Sequence, residues 1–234
     1  MNAVTMCLKS IVNLIVESRD TLASYRETAK RKSDGSPICD ADLYLNNLIE
    51  GEVSRHLPHH HIVSEETPVD QKSLDKADGC IVFVDPLDGT ENFIVGYPMW
   101  AVGVSIYCEK RHAGSVIVAP ELNEIEYSFA TQRQKNSSQS RLIGLSSSID
   151  VSQSAPQRNE TEYRITGCSL LNLLFVSRGV FRMYENPVGA NCWDILPGLH
   201  IAQSCGASEI TIDGSPYDGQ MLLPTKRYTV RVIR

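Results

Sequence analysis

The chain has 234 residues, 42% of them hydrophobic and 21% charged, and a formal net charge of -6. That is enough apolar chain for a sizeable core in one large domain or two small ones. The acidic balance argues against a nucleic-acid coat or a binder of anionic membranes, and leaves a bound metal to supply any charge that an anionic ligand needs. No apolar run is long enough to span a bilayer, and the first residues lack the basic start and apolar core of a signal peptide. The sequence therefore predicts a cytoplasmic protein with neither membrane nor nucleic-acid partners. Seven scattered cysteines without a Cys-x-x-Cys pair predict reduced, mostly buried thiols.

From Val4 to Tyr25, Leu8, Ile11, Val12, Ile15 and Leu22 recur at helical steps, which predicts one amphipathic helix. Lys30 to Pro37 is charged and ends in turn residues, so it reads as an exposed loop, either plain solvated surface or a cover for an anionic substrate. A second helix is expected through Leu43, Leu45, Leu48, Ile49 and Val53 to His56, with an Asp near residue 40 as a candidate N-cap. His59, His60 and His61 alternate faces of an extended segment and lack a companion cluster of soft ligands, so they are not read as metal ligands. Ile62 to Ser64 reads as a short strand with Glu65 and Glu66 at its end.

The stretch from Ile81 to Phe93 organises the rest. Its β-branched run, Ile81 to Val84, predicts a strand buried on both faces that ends in the turn Asp85-Pro86-Leu87-Asp88-Gly89-Thr90. Pro86 has a fixed φ and no N–H, so the chain is expected to turn there and bring Asp85 and Asp88 toward a common centre. Hard oxygen ligands at a strand end suit Mg²⁺. Free N–H groups at Gly89 and Thr90 would suit a phosphate. The same residues also make a plain capping pattern, Asp88 with Glu91, in an ordinary turn.

Downstream, Trp100–Tyr107, Gly114–Val118 and Glu124–Phe129 predict an antiparallel meander. Segment 131–160 is rich in Ser, Gln and Asn, with a short strand near Leu142 to Leu145, and marks the one candidate subdomain junction in a single domain over 1–234. Strands are expected at Tyr163–Gly167, Val180–Tyr184, Ser208–Ile212 and Tyr228–Ile233. Helices are expected at Ser169–Ser177 and from Asn191 to Ala202, the second with Asp194 in its first turn.

Three places thus put carboxylates at element boundaries: Glu65 with Glu66, Asp85 with Asp88, and Asp194. In their setting they resemble the magnesium-dependent, lithium-sensitive phosphatases typified by inositol monophosphatase. Asp85 to Phe93 is similar to that family's first motif, and Cys192-Trp193-Asp194 to its second. Ser64-Glu65-Glu66, the elements from Lys32 to Asp42, and Gly167-Cys168-Ser169-Leu170 match in order. The resemblance implies an α/β sandwich of the sugar-phosphatase type, layered αβαβα, and a homodimer. It also implies roles. Glu65, Asp85 and the Leu87 carbonyl would hold one Mg²⁺; Asp85, Asp88 and Asp194 would hold a second, in a site of two or three ions. Thr90 and Asp42, with Glu65, would prepare a metal-bound water for direct attack. Gly89, Thr90, Asp88 and Asp194 would contact the phosphate.

The implied activity is a Mg²⁺-dependent phosphomonoesterase for a small phosphorylated polyol or sugar. A 3′(2′),5′-bisphosphate nucleotidase is the first alternative, histidinol phosphate and fructose 1,6-bisphosphate are further candidate substrates in the superfamily, and a non-catalytic metal- and phosphate-binding homologue is the alternative outside enzymes. Two departures stand out. Cys39 replaces the family's usual Thr, and Pro187 occupies the position of the sugar-binding Glu, leaving Glu185 as its candidate replacement.

Overall fold

The computed structural model of the chain describes residues 2–31, 35, 37–67, 74, 78–129, 140–148 and 161–234. Lys32, Ser33, Asp34 and Ser36, and all of segment 131–160 except 140–148, lie outside these, so the expectations placed on them do too.

Helix α1, Ala3–Glu17, is capped by Asn2, whose side chain accepts from the Thr5 N–H at 2.8 Å, and buries Leu8, Ile11, Val12 and Ile15. The expected single helix is broken at Ser18. Its hydroxyl donates to the Leu14 carbonyl at 2.7 Å and meets the Tyr44 hydroxyl at 2.9 Å, and α2, Arg19–Ser24, restarts with only Leu22 buried. Ser at this point competes for backbone carbonyls, which the apolar spacing alone does not reveal. The expected loop after it is pinned by a two-residue ribbon, β1 (Lys30–Arg31) against β2 (Pro37–Ile38). Helix α3, Asp40–His56, has Cys39 rather than an Asp at its N-cap.

The first sheet has the order β3-β4-β5-β6-β7: His60–Ser64, Cys80–Asp88, Ala101–Cys108, Arg111–Ala119 and Glu124–Tyr127. Strand β3 runs parallel to β4, and the remaining pairs are antiparallel, so the expected meander is present. The second sheet has the order β12-β11-β13-β10-β8-β9: Ser215–Pro216, Glu209–Ile212, Tyr228–Ile233, Met183–Ala190, Leu142–Leu145 and Glu162–Ile165. Strand β10 starts later than expected and runs through Pro187, which is tolerated because the register breaks between Asn186 and Ala190.

Strand alternation assigns the layers. In β4, Val82 and Val84 pack with α1 and α3, while Ile81 and Phe83 face the other way. On that side stand Leu173 and Val176 of α5, Ser169–Ser177, and Ile195, Leu196 and Leu199 of α6, Cys192–Ser204, with Tyr184, Val230 and Val232 of the second sheet beyond. The order is helix pair, sheet, helix pair, sheet, which supplies four layers of the expected α/β sandwich. A Cβ on Gly198 would lie 2.4 Å from the Leu173 Cβ, so α5 and α6 cross at backbone distance and only glycine fits. Each Leu or Ile buried in these layers contributes about 1.5–3 kcal/mol.

Two side-chain features correct or extend the sequence reading. Cys80 and Cys108, opposed across β4 and β5 with Cα atoms 4.1 Å apart, form a disulfide, so not every thiol is free. His200 of α6 hydrogen-bonds Tyr107 of the first sheet and, at 3.2 Å, Tyr217 beside the second. His112 stacks on His200 with centroids 3.5 Å apart. This hub joins three layers through neutral imidazoles: burial pushes His200 down to about 3 and His112 down to about 4.

Both imidazoles stay neutral in the fold but titrate near 6.5 once unfolded, so their contribution is complete above that pH and is lost as pH falls toward 4. Each tenfold difference in proton affinity between the two states is worth about 1.4 kcal/mol. Buried carboxylates with raised values act in the opposite sense, so the test compares variants. Denaturant unfolding at pH 7.5 and 5.0 should show a loss of stability in the wild type that His200→Gln reduces; equal pH slopes in the two proteins would contradict it.

Candidate active site

Strand β4 carries the first carboxylates. It continues past Val84 to Asp88, with its pairing to β5 shifted between Asp85 and Asp88, so Pro86 sits in a bulge rather than a strand-ending turn. The sharp change of direction comes at Gly89, φ 90°, where a Cβ would also stand 3.0 Å from the Met99 carbonyl. Gly89 then caps the short helix α4, Thr90–Ile94.

Asp85, Asp88, Asp194 and Asp42 each accept a backbone amide from a different element. Asp85 is buried and its Oδ1 accepts from Leu87 N at 3.1 Å. Asp88 Oδ2 accepts from Leu170 N at 2.6 Å and from the Cys168 thiol at 3.2 Å, which ties β4 to the start of α5. Asp194 closes a capping box at the start of α6, with Asn191 N donating to Oδ2 at 2.8 Å. Asp42 does the same for α3, accepting from Cys39 N at 2.8 Å. The Thr90 hydroxyl lies 3.3 Å from Asp42 Oδ1 and 3.0 Å from the Leu87 carbonyl; with one proton to give, it favours the closer carbonyl. Glu65 follows β3 in a turn, exposed.

Electrostatics show these groups to be neighbours. Burial raises the Asp85 carboxyl well above the usual range, and Asp88, Asp194 and Glu65 raise it further. Burial likewise lifts Asp88 to about 6 and raises Asp194 strongly, with Asp88 adding to the latter. Among the described residues no Lys, Arg or His lies within ion-pair distance of Asp85, Asp88 or Asp194. Buried carboxylates clustered with only the more distant Arg227 to offset Asp194 are costly, and a hard divalent cation would relieve them. The donor set therefore fits such an ion in kind. As placed, however, no three described His, Cys, Asp or Glu side chains converge closely enough to hold one, because several carboxylate oxygens are turned to backbone donors.

Beside Asp88 and Asp194 opens a polar cleft of about 150 Å³, whose further wall includes Ser147, Ser148, Asn186 and Arg227. Glu185 is not part of it. Alternation along β10 turns Tyr184 and Asn186 inward, whereas Glu185 lines a separate groove with Glu209 and Arg231. Sequence reasoning missed Asn92, whose amide donates to the Met99 and Thr166 carbonyls at 2.6 and 2.8 Å and so fixes α4 against the segment before α5. It also missed Arg227, which follows Lys226 at the head of the last strand with no pattern to mark it.

Comparison with known proteins agrees with this frame. The sequence model of the inositol monophosphatase family matches residues 3–231. The chain is 23% identical to inositol monophosphatase 3 of Solanum lycopersicum over 205 residues, 77% of this chain and 75% of that one. It is 26% identical to fructose-1,6-bisphosphatase/inositol-1-monophosphatase of Thermotoga maritima over 191 residues, covering 76% and 72%. A solved IMPase/NADP phosphatase complexed with Mg²⁺ and phosphate superposes with a TM-score of 0.82 at 15% identity, over 98% of this chain and 90% of that one, which shows the shared fold. A match over nearly the whole length, on the α/β sandwich expected of it, means that the chain belongs to the inositol monophosphatase family of phosphatases.

Proposed function

We propose that the chain is a Mg²⁺-dependent phosphomonoesterase acting on a small phosphorylated polyol or sugar. The observation that carries this reading is the proximity of buried Asp85, Asp88 and Asp194, with Glu65 near them, beside a polar cleft that Asp88 and Asp194 line. Glu65, Asp85 and the Leu87 carbonyl would hold one Mg²⁺, and Asp85, Asp88 and Asp194 a second, with Asp85 shared. Bound there, the ions would neutralise the phosphomonoester dianion and acidify a water for direct attack.

The chain's own groups supply the rest. Asp42, held by Cys39 N, stands where it can take a proton from the Thr90 hydroxyl, so that Thr90 in turn accepts one from a water. The backbone N–H groups at Gly89 and Thr90 start a helix and suit the phosphate oxygens. No cysteine need act as a nucleophile: Cys168, beside Asp88, is buried, and burial raises its thiol far above the reactive range.

Phosphate release from the purified chain should require Mg²⁺ and stop with EDTA; release that EDTA leaves intact would refute the metal assignment. Asp85→Asn removes the ligand shared by both ions and is expected to lower kcat on the order of a thousandfold with the fold retained. Thr90→Val, acting through the water, should cost about 10- to 100-fold. Glu185→Gln, on the opposite face of its strand, should leave kcat/KM within about twofold, the size of effect expected of a surface change; a loss comparable to that of Thr90→Val would return Glu185 to the site.

A further inference from the structure

The cleft is lined by groups of both signs. Asp88 and Asp194 are the carboxylates assigned to cations under the phosphatase reading; with them stand Arg227, just ahead of β13, whose charge acts downward on the raised Asp194 carboxyl, and the hydroxyl-bearing residues Ser147 and Ser148. Arg227 is exposed, but it is anchored: its Nη2 donates to the Gly189 carbonyl at 2.5 Å. That carbonyl belongs to a fixed turn. Gly189 has φ 104°, and the Asn186 side chain accepts from the Val188 and Gly189 amides at 3.2 and 3.0 Å. A Cβ at Gly189 would come within 3.2 Å of the Arg227 Cβ, so the turn packs on the arginine stem.

A guanidinium has five N–H donors, and the Gly189 carbonyl takes one. Among the described residues no carboxylate lies within ion-pair distance of it. The free edge of the fork therefore remains for a ligand. A neutral polyol needs acceptors for its hydroxyl protons, and the acid expected to supply one, Glu185, faces away. A planar array of donors beside serine hydroxyls instead matches an anion, which it can bind with two parallel hydrogen bonds.

We propose that Arg227 is a specificity-determining residue that receives a second anionic group of the substrate, so that the preferred substrate is a phosphomonoester carrying a further phosphate or carboxylate rather than a neutral polyol monophosphate. This rests on the phosphomonoesterase reading. In this role the residue selects what the rest of the molecule carries, while the reacting phosphate is held at Gly89 and Thr90 under that reading.

Steady-state phosphate release with Mg²⁺ on inositol 1-phosphate, fructose 1-phosphate, fructose 1,6-bisphosphate and 6-phosphogluconate tests it, in wild type, Arg227→Gln and Arg227→Lys. Wild type should favour a doubly anionic substrate over the monophosphates by about tenfold or more in kcat/KM, and preference between the bisphosphate and the phosphogluconate identifies the second group. Arg227→Gln should reduce that preference by about tenfold, chiefly through KM, and Arg227→Lys, which keeps the charge but not the fork, should fall between that and wild type. Equal kcat/KM for singly and doubly anionic substrates, or a preference that survives in Arg227→Gln, overturns the proposal. If folded wild type releases phosphate from none of the four, the phosphatase reading falls, and calorimetric titration of fructose 1,6-bisphosphate with Mg²⁺ decides the Arg227 proposal separately. Binding about tenfold weaker in Arg227→Gln supports it; equal binding, or none to wild type, overturns it.

Discussion

Mutual repulsion among carboxylates at the end of β4 is the constraint around which the other elements are arranged. Bringing Asp85, Asp88 and Asp194 together out of water, with Glu65 near them at the surface, raises the free energy of the charged forms, as the upward shifts at Asp85, Asp88 and Asp194 record. The fold tolerates this because each acid inside it also has a local structural partner. Asp194 and Asp42 close capping boxes on α6 and α3, and Asp88 accepts the amide of Leu170 at the start of α5. The capping reading and the catalytic reading of these residues are therefore not rivals. Backbone amides hold the carboxylates in place, and the charge that those amides leave uncompensated is what would draw a cation under the proposed function.

Holding three helix starts and a strand end at one point requires the layers behind them to be rigid. Close crossing at Gly198 fixes α5 on α6, and the His200 hub ties α6 to Tyr107 and Tyr217 on either side. A shift of α6 would move Asp194 with it, so packing deep in the sandwich sets the geometry of the site. The hub is polar yet neutral, which suits a place where a charge would have no partner.

How much of this the sequence disclosed depended on whether the signal was local. Ile81 to Val84 and Tyr228 to Ile233 announce themselves as strands, because β-branched runs leave few alternatives, and the motif from Asp85 to Phe93 led to the family that the whole-length match then showed. Ser18 was silent, since a helix break made by one hydroxyl leaves the apolar spacing intact. The turn between β5 and β6 was silent too: Glu109 and Lys110 adopt φ 52° and 60° without the Asn-Gly usual in such a turn, so β6 looked shorter than it is. Pairing of Cys80 with Cys108 needed the register of β4 on β5, which no cysteine spacing encodes.

The groups that line the cleft show the same contrast. Its acids stand at helix and strand boundaries, where residue type and local structure go together, so Asp88 and Asp194 are legible one motif at a time. Its arginine edge is built from a turn in β10 and the residue that enters β13, brought together by antiparallel pairing of Ala190 with Tyr228. Such an edge depends on which side of a strand each residue faces. One step of register exchanges Glu185 for Asn186 in the cleft wall, and with it an acid for an amide. Reaction chemistry within a family can therefore be read from short motifs, whereas substrate choice follows from strand register and requires the fold.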